Sequence, residues 1–219
     1  LQCTIGEAGY IHDNEVWAGS IYMQGNTTNL VIEGDIVNNI STQHTAGIWL
    51  ANNLTGKSKA IMKDTAEISG NISYTTEVAA VIVSKGRFIM EGGSITENYT
   101  IGNGDYTGGA VCVRRSGTFE MTGGSITNNY ATAAAGGLYY DASKWSDDIS
   151  ISGSNQYSHI NQNMSISDSM NIGNPDIYLE KYNVVLKNPA DIDVKFGNAS
   201  ANVIQTLLDA SVANEWSGE

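Results

Sequence analysis

Three groups of residues in this chain have the types and spacing to do chemistry. The first is a set of carboxylates, Asp141, Asp147 and Asp148, beside Tyr139, Tyr140 and Trp145. Two carboxylates about 5–9 Å apart can divide the work of cleaving a glycosidic bond, one as acid and the other as base or nucleophile. Asp141 and Asp148, with Asp147 next to them, are therefore the candidate catalytic residues. An aspartate in a turn is also commonplace, because its side chain bonds the local backbone. The second group is formed by the middle residues of six apolar triplets: Tyr22, Trp49, Ile82, Cys112, Tyr139 and Tyr178. A row of exposed rings can stack on the flat C–H faces of sugars, so Tyr22, Trp49, Tyr139 and Tyr178 are candidate ligand-binding residues. The same residues are also ordinary strand formers, and a covering segment would bury them. The third group is basic. Arg87, Arg114 and Arg115, with Lys85, fall at one corner of neighbouring repeats and could hold an anionic sugar or a sulfate. They equally suit solvated turns that neutralise Glu91 and Glu120.

Other chemistry is not signalled. The sequence has no His-Glu-x-x-His, Gly-x-Ser-x-Gly, phosphate-cradling glycine loop or Cys-x-x-Cys, and no cofactor or metal is expected. His12, His44 and His159 are scattered over different repeats and read as surface residues. The 23 acidic residues against 11 basic ones leave a net charge of −12, which repels nucleic acid and anionic membranes alike. No apolar run of about 20 residues is present, so membrane insertion is not expected. Cys3 and Cys112 lie several repeats apart, too far for a disulfide, and are expected to be free thiols.

The elements that must position these groups are set by an internal repeat. GRFIMEGGSITENY, from Gly86, recurs as GTFEMTGGSITNNY from Gly117, with ten of fourteen positions identical at an offset of 31. Outside this pair the pattern loosens but persists. Ile-x-x-Asn followed by an apolar residue occurs at Ile36, Ile68, Ile95, Ile126 and Ile160, at spacings of 32, 27, 31 and 34. Between this marker and the triplets lies a third short alternation, as in Leu30/Ile32, Phe88/Met90, Phe119/Met121 and Ile149/Ile151. Three short strands in about 30 residues, with no helical period, make one coil of a parallel β-helix. The fold expected is all-β: a single-stranded right-handed parallel β-helix (solenoid) of about six rungs, three short strands per rung, with a short C-terminal helical cap. Phe88 over Phe119, Met90 over Met121 and Ile95 over Ile126 should form inward columns. Asn39, Asn71, Asn98, Asn129 and Asn163 should stack at one corner, each amide bonding the next while tolerating a left-handed turn. Residues 1–16 read as an N-terminal cap, 17–196 as the β-helix, and 197–219 as a C-terminal cap or the start of a following segment.

The GGSITNN motif and the glycine-led triplets resemble the right-handed parallel β-helix repeats of the pectate-lyase-like superfold, over residues 17–196 and most tightly over 79–140. Such repeats are common in secreted and cell-surface adhesin-like proteins of bacteria. The resemblance implies an extracellular setting, in a chain that opens without Met and shows no signal peptide. It does not imply one activity, since the superfold hosts lyases, hydrolases, tailspikes and adhesins. Some β-helix hydrolases of this kind carry their acid pair on loops leaving the rungs, which is where Asp141 and Asp148 would lie. The connections between rungs are mostly short and offer little wall for a cleft. The expectation is therefore a carbohydrate-recognition module that meets glycans or a host or cell-surface partner, alongside the flanking domains of its parent protein. The alternatives are a glycoside hydrolase or polysaccharide lyase acting on host or plant oligosaccharides, and a passive stalk.

Overall fold

The protein is described by a computed structural model. It describes the backbone of residues 2–25, 28–51, 58–75, 77–102, 109–132, 136–141, 148–151, 158–161, 164–165, 177–180 and 194–196, and side chains as far as 139 except those of 115 and 116.

Every strand pairing is parallel, and each strand pairs with its equivalent one coil away. An opening part-coil contributes β1 (Gln2–Ile5), β2 (Tyr10–His12) and β3 (Glu15–Val16), so the segment expected as a cap adds one strand to each face. The first full coil holds β4 (Ile21–Met23), β5 (Asn29–Ile32), β6 (Asp35–Val37) and β7 (Ile40–Ser41). The second holds β8 (Ile48–Leu50), β9 (Lys59–Met62), β10 (Glu67–Ser69) and β11 (Ile72–Ser73). In the third, two strands fuse into β12 (Val81–Met90), followed by β13 (Ser94–Thr96) and β14 (Tyr99–Thr100). The fourth repeats this with β15 (Val111–Met121), β16 (Gly124–Thr127) and β17 (Tyr130–Ala131). Beyond it lie β18 (Leu138–Asp141), β19 (Asp148–Ile151), β20 (Ser158–Asn161), β21 (Met164–Ser165), β22 (Ile177–Glu180) and β23 (Val194–Phe196).

The strands form three sheets of ten, seven and six members that wrap the coil. The fold is thus a parallel β-solenoid with three faces, and no helix occurs among the described residues. About four turns are described in full, against the six expected; later strands continue the same ladders. The expected helical cap at 197–219 lies outside the described residues.

Register explains why these residues build this core. Leu30, Ala60, Phe88 and Phe119 stack in one inward column, and Ile32, Met62, Met90 and Met121 in the next. Ile36, Ile68, Ile95 and Ile126 form the column of the second sheet. All are buried. The rings of Phe88 and Phe119 stack at 5.7 Å and 15°. Each such side chain contributes about 1.5–3 kcal/mol of burial.

One corner carries the asparagine ladder. The Oδ1 of Asn71 accepts from the backbone N–H and the Nδ2 of Asn39, at 3.0 and 2.9 Å. Asn98 serves Asn71, and Asn129 serves Asn98, in the same way. Asn14 extends the ladder by one, bonding Asn39, while Asn163 lies outside the described residues. The left-handed turn, however, falls one residue earlier than expected. Asp13, Asn38, Gly70, Glu97 and Asn128, each just before a ladder asparagine, have φ between 54° and 63°. At 70 a glycine takes this conformation without strain, and a Cβ there would only push aside the exposed Asn38 side chain.

Glu97 is the costliest of these left-handed residues, since a side chain there is strained by about 1 kcal/mol and asparagine tolerates the conformation better. Replacing exposed Glu97 with Asn, the residue found at 38 and 128, is expected to raise the melting temperature by about 1–3 °C. Thermal unfolding followed by circular dichroism checks this; an unchanged or lowered midpoint would contradict it.

Candidate functional site

The longest pairing, β12 against β15, contains a bulge. Val83 faces Val113, but the next pair is Lys85 with Ser116, so β15 carries one extra residue where Arg114 and Arg115 stand. Bulges redirect side chains. Arg114 is only 5% exposed. Its Nε donates to Ser84 Oγ at 3.1 Å, and its Nη1 lies 2.9 Å from Glu77 Oε1. Arg87, on the far side of the bulge, lies at the surface and pairs instead with Glu120 at 2.7 Å. The two arginines therefore do not form one basic spot. Lys63, not an arginine, neutralises Glu91. The backbone of Arg115 is described but its side chain is not.

Arg114 opens onto a larger constellation. The second oxygen of Glu77, Oε2, lies 3.2 Å from His44 Nδ1. The His44 ring meets Trp17 edge-on (centroids 4.9 Å apart, 86°) and Trp49 at a tilt (4.8 Å, 42°). Trp49 in turn meets Tyr22 at 5.0 Å, and its Nε1 donates to Ser84 Oγ. Trp17 and Tyr22 are 65% and 43% exposed, whereas Trp49 and His44 are half-buried.

This assembly follows from the coil. Trp17, His44 and Glu77 each stand four residues before the first residue of a triplet strand (Ile21, Ile48 and Val81), and these strands are in register. Ser84 and Arg114 each stand three residues after one (Val81 and Val111). Tyr22 and Trp49 are triplet centres. Three adjacent columns thus deliver aromatic, carboxylate, imidazole, hydroxyl and guanidinium groups to one patch on the outside of the solenoid.

The outward triplet column is open at one end and covered at the other. From Ile82 to Tyr139 its members are buried: Ile82, Cys112 and Tyr139 form a second apolar cluster with Val78, against which Trp49 packs. Tyr139 is 2% exposed, so the four aromatics do not make one continuous open face. Tyr178 stands opposite Tyr139 in the ladder, known by its backbone alone. Asp141 is in register with Arg114, and Asp148 with Thr118, also by backbone alone; Asp147 lies outside the described residues.

Sequence reasoning missed Trp17, His44, Glu77 and Ser84. The signal that could have found them is their constant distance from the triplets. His44 is not a stray surface histidine, whereas His12 lies at the surface, bonding its neighbour Asp13 and meeting the Tyr10 ring edge-on. On the outer face of the second sheet, Tyr10 has its pKa raised, first by its hydrogen bond to Asp35 and then by the charges of Asp35 and Glu67. Cys3 and Cys112 are free thiols, the first exposed and the second buried.

No family model, curated protein or solved structure matches this chain.

Proposed function

We propose that this solenoid is an extracellular recognition module of a larger bacterial surface or secreted protein, and that it binds carbohydrate at the patch of Trp17, Tyr22, His44 and Trp49. The observation that carries this reading is the cluster of these four rings, two of them well exposed, beside a hydrogen-bonded polar network. Rings that present a face to water, next to fixed donors and acceptors, suit a ligand that alternates apolar C–H faces with hydroxyls. Glu77 has one oxygen held by Arg114 and the other by His44. Held at both oxygens, Glu77 suits a positioning role for the His44 ring and the Arg114 guanidinium. The extracellular setting is supported by the resemblance of the GGSIT repeats to those of pectate-lyase-like adhesins. A shallow outer surface gives modest affinity per site, raised by avidity when many copies are displayed.

Binding to a glycan array tests the proposal. Trp17→Ala and Trp49→Ala are each expected to weaken the glycans bound by the native chain by about 10- to 100-fold. Trp17 is exposed enough that its loss should leave the melting temperature unchanged, which separates binding from folding. Undiminished binding in both variants, or no glycan bound by the native chain, would sink the reading.

A further inference from the structure

We infer that His44 is the specificity-determining residue of this patch, held by Glu77 as the neutral Nδ1–H tautomer so that its Nε2 lone pair meets a hydroxyl of an uncharged sugar. The inference rests on the recognition reading above and deepens it. A carboxylate can only accept, so the imidazole nitrogen facing Glu77 Oε2 at 3.2 Å must carry the proton. Glu77 already has a cationic partner in the buried Arg114, 2.9 Å away. The pair therefore does not demand a second positive charge on His44. The charged groups facing the imidazole are Glu77, from the corner before β12, and through it Arg114 from β15. The rings of Trp17, from the preceding corner, and Trp49, five residues on in β8, pack against it and carry no charge.

The backbone around His44 is equally fixed. Its N–H donates to Ser41 Oγ at 3.1 Å, and its carbonyl accepts from Ser73 Oγ at 2.9 Å and Thr75 Oγ1 at 3.2 Å. With ring and backbone both held, Nε2 is the one ring nitrogen that no described residue bonds. A lone pair there accepts from a hydroxyl. It repels the acceptor oxygens of a sulfate or carboxylate placed at the same point. A site built to bond a hydroxyl discriminates strongly against ligands that cannot supply one.

Two measurements on the intact chain test this. Long-range nitrogen–proton NMR spectra at neutral pH should show His44 protonated at Nδ1 and bare at Nε2, with that preference lost in Glu77→Gln. On an array printed with neutral oligosaccharides beside uronic-acid and sulfated ones, the native chain should bind among the neutral set. His44→Phe, which keeps a ring between the tryptophans, should lose at least about tenfold in affinity, while His44→Gln, whose amide can reach the position of Nε2, should stay within about threefold. An imidazolium or an Nε2–H tautomer overturns the inference, as does native-level binding by His44→Phe or a preference for anionic glycans; in these cases Trp17→Ala still reports on recognition. If the native chain binds no glycan, the recognition reading fails and this inference with it.

Discussion

Asn98→Ala is expected to lower the unfolding free energy by about 2–6 kcal/mol, as two buried polar groups lose their partners at about 1–3 kcal/mol each. The Asn98 Oδ1 accepts both the backbone N–H and the Nδ2 of Asn71, and its own Nδ2 donates to the carbonyls of Ile68 and Thr96 and to Asn129 Oδ1. The residue is fully buried, so water cannot replace what alanine removes. Asn14, at the exposed end of the same ladder, donates twice to Asn39 and accepts nothing through its side chain in that ladder. Asn14→Ala should therefore cost only about 1 kcal/mol. Urea denaturation of the two variants beside the native chain checks the contrast. Equal losses at both positions would mean that the ladder does not stabilise through mutual satisfaction of buried groups.

Arg114→Ala is the second large effect, about 3–5 kcal/mol, the range for breaking a buried ion pair from one side. For a chain of this size that is a fall of roughly 6–20 °C in melting temperature. The loss includes two effects: Glu77 keeps its charge without its guanidinium, and Ser84 Oγ loses a donor in a buried position. Arg114→Met, which refills the volume, should recover less than half. Adding Glu77→Gln to it should recover more, because the orphaned charge then disappears. The order of the three melting temperatures is the informative readout. If Arg114→Ala melts with the native chain, the network around Glu77 contributes nothing to the fold.

Much of the fold was legible because a solenoid repeats its physics. Phe88 and Phe119, or Ile95 and Ile126, could be assigned inward from a constant offset and strand alternation, and the register places them so. The ladder of Asn39, Asn71, Asn98 and Asn129 followed from the same offset. What could not be read was the outside. The centre of a triplet points away from the core in every coil, yet Tyr22 stands in water while Tyr139 is buried. That difference depends on what lies over the column, which alternation does not encode. His44 and Glu77 escaped for another reason. They sit 33 residues apart in corners of dissimilar sequence, and only alignment on the following strand shows them to be neighbours. The split between Arg87 and Arg114 likewise depended on the bulge, a one-residue insertion that a repeat of varying length hides.

The ladder also decides what N-glycosylation would do to this chain. Asn39-Ile40-Ser41, Asn71-Ile72-Ser73 and Asn98-Tyr99-Thr100 all read as N-glycosylation acceptors. In the folded chain their amides are spent on the neighbouring coil, and the third-position hydroxyls are spent as well: Ser41 Oγ accepts from the N–H of His44, Ser73 Oγ donates to its carbonyl, and Thr100 Oγ1 accepts from the N–H of Ala79. The motif here is a by-product of turning a corner, where an asparagine must bond upward, the next residue faces out and a small hydroxyl faces in. A glycan attached to any of these asparagines before folding would occupy the space of the adjoining coil, so the sugar and the closed solenoid exclude each other.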